Sequence, residues 1–189
     1  NVASGVSFVT GHAAASKPQE EDEWKLLAQS SRTIVVYMGV GNLPHIAGML
    51  MSHGMDASTP AAIISWGTRP QQKTVRASLG TLVSRAEAEG ISPPAIAVIG
   101  EVAGFGERLR WFDKRPLFGK RVVVTRSAES AERLSKPLRE LGAAVTELPA
   151  IAIRPSQDQR ELDGALRRLG DFGWIAFTSP NGVSIFFSR

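Results

Sequence analysis

Short continuous runs of apolar, largely β-branched residues recur along the chain, and they limit what it can fold into. The strongest is 33–37 (TIVVY); 61–65 (AAIIS), 95–99 (AIAVI), 121–125 (RVVVT) and 174–177 (WIAF) follow, and 6–10 (VSFVT) precedes. A run without polar alternation reads as a strand covered on both faces. Weaker strand signals lie at 73–77 and within 144–153. Between the runs, apolar residues fall at helical spacing: Leu43, Ile46, Ala47 and Leu50, then Leu79, Leu82, Val83 and Ala86. Asn42 is placed to cap the first of these helices with Pro44 in its first turn, and Gly54 closes it. Further helices are expected at 24–28, through 108–112, over 129–141, over 159–169 and after Gly182. Pro137 falls inside one of them, which predicts a kink or a later start. The acidic stretch 17–23, with Glu20, Glu21, Asp22 and Glu23 in succession, reads as a solvated loop. Strands alternating with helices give an α/β class with a largely parallel sheet.

The 189 residues contain no Cys, which excludes disulfides, thiolate metal sites and a cysteine nucleophile. His12, His45 and His53 lack the spacing of a helical metal pair, so they read as structural or surface residues and no metal is expected. The longest uncharged, mostly apolar run, 33–50, is interrupted by Gly39, Gly41, Asn42, Pro44 and His45, and is no membrane span. The net charge of +4 is unevenly spread. Nine Lys and Arg face ten Asp and Glu up to Asp113, a net −1, whereas thirteen face eight from Lys114 onward, a net +5. The shift coincides with 113–119 (DKRPLFG), the candidate boundary between two units. Aromatic residues are not interleaved with the basic ones as in a nucleic-acid platform, so a solvated or anion-steering surface is the expectation.

In open α/β sheets ligands sit beyond the carboxyl ends of strands. Three such loops stand out: 37–39 (YMG), 66–68 (WGT) and 178–182 (TSPNG). Gly39 and Gly67 permit close backbone approach, and Met38 offers a soft surface for a flat ring. Ordinary turn glycines beside a core Met explain the same residues. The 178–182 loop offers hydroxyls and a helix N-terminus to an anion, or simply a helix cap. Both readings stay open on spacing alone, and no catalytic residue can be picked out.

A resemblance goes further. Residues 5–112 resemble the C-terminal part of uroporphyrinogen-III C-methyltransferase, a class III tetrapyrrole methyltransferase, through SFVTGH (7–12), VVYMGVGNLPHIA (35–47) and TPAAIISWGTRPQQKTV (59–75). SLGTLVSRA (78–86), PPAIAVIGEV (93–102) and ERLRWF (107–112) follow in the family's order. Residues 115–189 resemble the start of uroporphyrinogen-III synthase through RPLFGKRVVVTR (115–126), LRELGAAVTELPAIAIRP (138–155) and FGWIAFTSPNG (172–182).

The resemblance implies a tetrapyrrole methylase C-terminal α/β domain over 1–113, a linker at 114–119, and an incomplete flavodoxin-like parallel α/β domain over 120–189. It implies methyl transfer from S-adenosylmethionine to uroporphyrinogen III, giving precorrin-2 on the sirohaem and cobalamin route, and cyclisation of hydroxymethylbilane to uroporphyrinogen III. By similarity Met38 packs on the adenosyl group and Gly67 meets the cofactor through its backbone, with Tyr37, Trp66, Pro94 and Ala95 lining the same cleft. Arg126, Thr178, Ser179, Asn181 and Gly182 would meet substrate carboxylates, which suits the +5 excess of that part. The family implies a cytoplasmic enzyme, commonly a homodimer, with no nucleic-acid or membrane partner. The methylase's glycine-rich N-terminal domain and the synthase's second domain are not in these residues, so this chain alone is expected to be inactive. Two alternatives remain: action on a later corrin intermediate, or a non-catalytic ligand-binding module.

Overall fold

The computed structural model describes residues 2–11, 18–154 and 156–188, without the side chains of 18–21; His12 therefore lies outside the described residues. The chain divides into two compact units, Asn1–Val122 with Leu138–Ala144, and Val123–Pro137 with Val145–Arg189.

The first unit is built on a five-stranded sheet. Its strands are β1 (Val6–Thr10), β2 (Thr33–Tyr37), β3 (Pro60–Ser65), β4 (Lys73–Ser78) and β5 (Ala95–Ile99), in the spatial order β1-β2-β5-β3-β4. The expected runs become strands, but the largely parallel sheet needs correcting. Only β1 and β2 pair in parallel; β2–β5, β5–β3 and β3–β4 are antiparallel. The cause is connection length. A helical crossover, α1 (Pro18–Ala28), returns the chain to lay β2 parallel to β1, whereas the short loop from Trp66 to Gln72 folds β4 back on β3. β5 then enters between β2 and β3, opposed to both.

Three helices, α1, α2 (Leu43–Ser52) and α3 (Leu79–Ala88), accompany this sheet. Ile34, Val36, Ile63 and Ile99 project from it into one core with Leu43, Ile46, Leu50, Leu79 and Leu82, all essentially buried. Each such aliphatic side chain removed from water stabilises the fold by about 1.5–3 kcal/mol. Ser78 opens α3 with a reciprocal cap to Thr81, and Gly54 ends α2 at φ 98°, as only a residue without Cβ does cheaply. α1 begins at Pro18, so the acidic stretch read as a loop is its first turns; Glu and Gln suit a helix as well as solvent. The helix expected through 108–112 is absent. A 3-10 turn, Glu101–Phe105, stands before it, and Gly104 and Gly106 weaken any helical continuation.

In the remainder of the chain, β6 (Arg121–Val124) and β7 (Ala144–Glu147) form a two-stranded sheet. Ala144 N–H donates to Lys120 O and Leu148 N–H to Val124 O, so the rungs climb both strands together, as in a parallel pair. β7 ends short of the expected 144–153 because Pro149 has no N–H to contribute. Between them α4 (Ala128–Glu140) starts well before Pro137 and carries it inside, so the later start is not adopted. Residues 174–177 are not a strand. They join no ladder, and Trp174 is 94% exposed; an apolar run becomes a strand only where a neighbour takes its N–H and C=O groups. Helices α5 (Arg160–Arg167) and α6 (Pro180–Phe187) bury no residue.

Candidate functional site

Because β5 opposes β2 and β3, its N-terminal end meets their C-terminal ends. Tyr37, Ile96 and Ile64 lie side by side across the three strands, since Ile96 pairs with Tyr37 on one flank and Ile64 on the other. They floor a cleft of about 1170 Å³ whose walls are the loop after β2, the loop after β3 and the prolines before β5. All six residues singled out in this unit, Tyr37, Met38, Trp66, Gly67, Pro94 and Ala95, line it together.

Backbone and side-chain ties fix the walls. Trp66 N–H donates to Pro94 O at 3.0 Å. The buried Ser65 hydroxyl donates to Ser92 O at 2.8 Å and reaches Pro94 O at 3.3 Å. Gly11 N–H donates to Tyr37 O at 2.7 Å, and Asn42 Nδ2 donates to Gly11 O at 3.3 Å. Asn42 thus occupies the N-cap position of α2 but spends its side chain on Gly11 rather than on the cap. A Cβ on Gly11 would stand 2.4 Å from Gly39 Cα, so the two loops touch only because Gly11 is glycine.

Met38, Trp66 and Thr68 adopt φ of 51°, 53° and 61°, the three non-glycine residues with positive φ among those described. Such conformations cost on the order of 1–3 kcal/mol each and gather where a site needs its loops held in one shape. They turn Met38 and Trp66 outward: Met38 is 64% exposed and Trp66 42%. Met38 is therefore no core residue, which removes one of the two readings left open by the sequence. Gly67 differs from Gly11. A Cβ there would meet only Ile64 Cγ2, at an ordinary 3.5 Å, so the protein's own packing does not demand glycine. Among the described lining residues Arg69 alone carries a charge. An apolar floor, aromatic and thioether walls and open backbone suit a flat, weakly charged ligand.

The sequence did not mark Gly11, Val40, Arg69 or Pro93 as site residues and read Asn42 only as a helix cap, yet all five line the cleft. Gly11 had a signal in the TGH segment, but its partner Gly39 is distant in sequence.

In the second unit, Arg126 is exposed just beyond β6, and Thr178, Ser179, Asn181 and Gly182 lie at the start of α6. Ser179 Oγ accepts from Gly182 N–H at 3.2 Å, an N-cap with Pro180 in the first turn. Among the described residues no hydrogen bond joins Arg126 to this cap. His45 is exposed on α2, and His53 follows its last turn. Among the described residues, no three His, Cys, Asp or Glu side chains gather as a metal site, and no helix is long and apolar enough to cross a membrane.

Residues 3–83 match the family of tetrapyrrole (corrin/porphyrin) methylases, and residues 132–189 match uroporphyrinogen-III synthase HemD. The porphyrin biosynthesis protein HemD of Ruminiclostridium josui is 39% identical over 97% of this chain and 36% of its own length. A uroporphyrinogen-III C-methyltransferase of Bacillus subtilis is 34% identical over 98% of this chain and 38% of its own. The chain thus spans little more than a third of these relatives. A solved uroporphyrin-III C-methyl transferase of Thermus thermophilus, complexed with S-adenyl homocysteine, is 30% identical over 55% of this chain and 44% of its own, with a TM-score of 0.44. One polypeptide thus carries a stretch that matches the tetrapyrrole methylases, to which most of the cleft lining belongs, and a stretch that matches uroporphyrinogen-III synthase HemD.

Proposed function

We propose that the protein to which this chain belongs is a bifunctional tetrapyrrole-biosynthesis enzyme, with residues 1–113 serving methyl transfer and 120–189 serving cyclisation of hydroxymethylbilane. The observation that carries the reading is the cleft: six residues expected to meet S-adenosylmethionine, drawn from three separate stretches of chain at strand ends, line one concavity. Its volume of about 1170 Å³ accommodates a nucleoside-sized ligand, with room left over at its open side.

When bound, S-adenosylmethionine would supply an electrophilic methyl group to a pyrrole carbon of uroporphyrinogen III that already bears a side chain; S-adenosylhomocysteine would leave, and the balancing proton would be lost from a pyrrole N–H or a bridging methylene rather than from the methylated carbon. The residues of this chain hold rather than react. Met38 and Trp66 give apolar surfaces for the adenine, and the Gly67 backbone admits close approach. The ties from Ser65 and Trp66 to the Ser92–Pro94 segment keep the walls apart at a fixed width. In the second segment Arg126 and the 178–182 loop would bind substrate carboxylates, helped by the local basic excess. On this reading the isolated 189 residues do not turn over, and the enzyme works in the cytoplasm.

The test is calorimetric titration of the full-length protein with S-adenosylhomocysteine, together with transfer of labelled methyl to uroporphyrinogen III. Saturable binding that Trp66→Ala and Met38→Ala each weaken at least five-fold supports the reading. Absence of binding, or binding indifferent to both variants, overturns it.

A further inference from the structure

The cleft wall that carries Trp66 and Gly67 continues into Thr68, which does not itself line the cleft, and the turn is held by a residue outside the cleft. The loop between β3 and β4 leaves the ladder after Ser65 and rejoins it at Lys73, these two being the last paired residues. Inside it Arg69 N–H donates to Trp66 O at 3.0 Å and Gln72 N–H to Arg69 O at 2.9 Å. Those bonds shape the turn but leave the Thr68 N–H unused. Thr68 is also the most awkward residue in the loop, because a β-branched side chain at φ 61° crowds its own backbone. The Gln72 side chain folds back across the loop and Oε1 accepts the Thr68 N–H at 2.7 Å. Its other end is anchored in turn, Nε2 lying 3.4 Å from Thr74 Oγ1 on β4. Gln72 therefore bridges the strained apex of the wall to the sheet, and it does not line the cleft itself.

From this geometry we infer that Gln72 is a positioning residue for the methyl-donor cleft, holding Thr68 in the left-handed conformation that presents Trp66 and Gly67. The inference rests on the cofactor reading above for its affinity arm, but its structural arm stands without it. The bond needs only an acceptor at the end of the side chain. Glu at 72 keeps one, Ala keeps none, and Gly at 68 makes the bond dispensable because glycine takes positive φ freely.

The experiment uses the full-length protein as wild type, Gln72→Ala, Gln72→Glu and the double variant Gln72→Ala/Thr68→Gly. Hydrogen exchange of the peptide covering the loop is read without ligand, S-adenosylhomocysteine affinity by calorimetry, and unfolding by temperature. In Gln72→Ala the Thr68 amide is expected to exchange at least ten-fold faster, and affinity to fall about five-fold, as for one lost hydrogen bond. Gln72→Glu stays within two-fold of wild type, and the double variant recovers affinity while its loop still exchanges fast. Unchanged exchange in Gln72→Ala overturns the inference, whether or not the ligand binds. So does a double variant as weak as the single one, or a Gln72→Glu as weak as Gln72→Ala. Loop protection lost in Gln72→Ala while even the wild type fails to bind ligand upholds the tether and refutes the cofactor reading instead.

Discussion

Trp66 and Pro94 are joined by a backbone hydrogen bond of 3.0 Å, which ties the loop leaving β3 to the loop entering β5. Ser65, one residue earlier, adds its buried hydroxyl to the same segment through Ser92 O and Pro94 O. The cleft walls are therefore cross-linked by main chain, and the residues that hold them differ from those that face into the cleft.

Replacing Ser65 by Ala strips a buried donor from two carbonyls. The expected cost is about 0.5–1.5 kcal/mol of stability, the net worth of one hydrogen bond, because Ser92 and Pro94 are exposed and Pro94 O keeps the Trp66 N–H. Urea unfolding measures it, and an unchanged midpoint would mean that water takes the hydroxyl's place.

Gly11→Ala would place a Cβ 2.4 Å from Gly39 Cα and 2.9 Å from Ile46 Cδ1. Backbone cannot yield as a side-chain tip can, so a loss of at least about 1–3 kcal/mol is expected. Gly41→Ala, whose Cβ meets nothing within 4 Å, is the control and should unfold as wild type does.

Gly67→Ala separates binding from folding. The new methyl meets only Ile64 Cγ2 at 3.5 Å, so stability should hold or rise by up to about 1 kcal/mol. Affinity for S-adenosylhomocysteine should fall by roughly ten-fold, because the methyl projects where a ligand would lie against backbone. Equal affinity in calorimetry would place the ligand elsewhere.

Asp56 accepts the Ser58 N–H at 2.7 Å, and that bond holds its carboxyl below the usual 3.8. A pKa lowered in the folded state means that the bond's contribution is present above the unfolded value and is lost as pH falls through the folded one. Asp56→Ala should therefore narrow the difference from wild type in urea midpoint below pH 4 and leave it constant between pH 5 and 7. A difference that grows on acidification would contradict this sign.

The strands of the first unit were legible because TIVVY, AAIIS and AIAVI combine apolar continuity with β-branching, which few other environments favour. Their directions were not. Whether β5 runs with or against β2 depends on where the chain re-enters the sheet, a long-range choice that leaves no local pattern. Of the cleft residues, Pro94 and Ala95 came only from the resemblance. Tyr37, Met38, Trp66 and Gly67 were found at strand ends, but Gly11 and Gln72 act through partners that only the fold brings near. The failure at 174–177 has the opposite cause: its composition is that of a strand, yet strand formation is a property of a pair.

β5 is the last strand of its sheet to appear in sequence and the central one in space. Until residue 99 has been synthesised, β1–β2 and β3–β4 are separate ribbons with no shared edge, and the row from Tyr37 through Ile96 to Ile64 does not exist. During translation the nascent chain thus has no cleft through the making of four strands. The cleft arises in a single late insertion, and a ribosome stalled before Ala95 would hold a polypeptide with every loop of the pocket but one and no pocket at all.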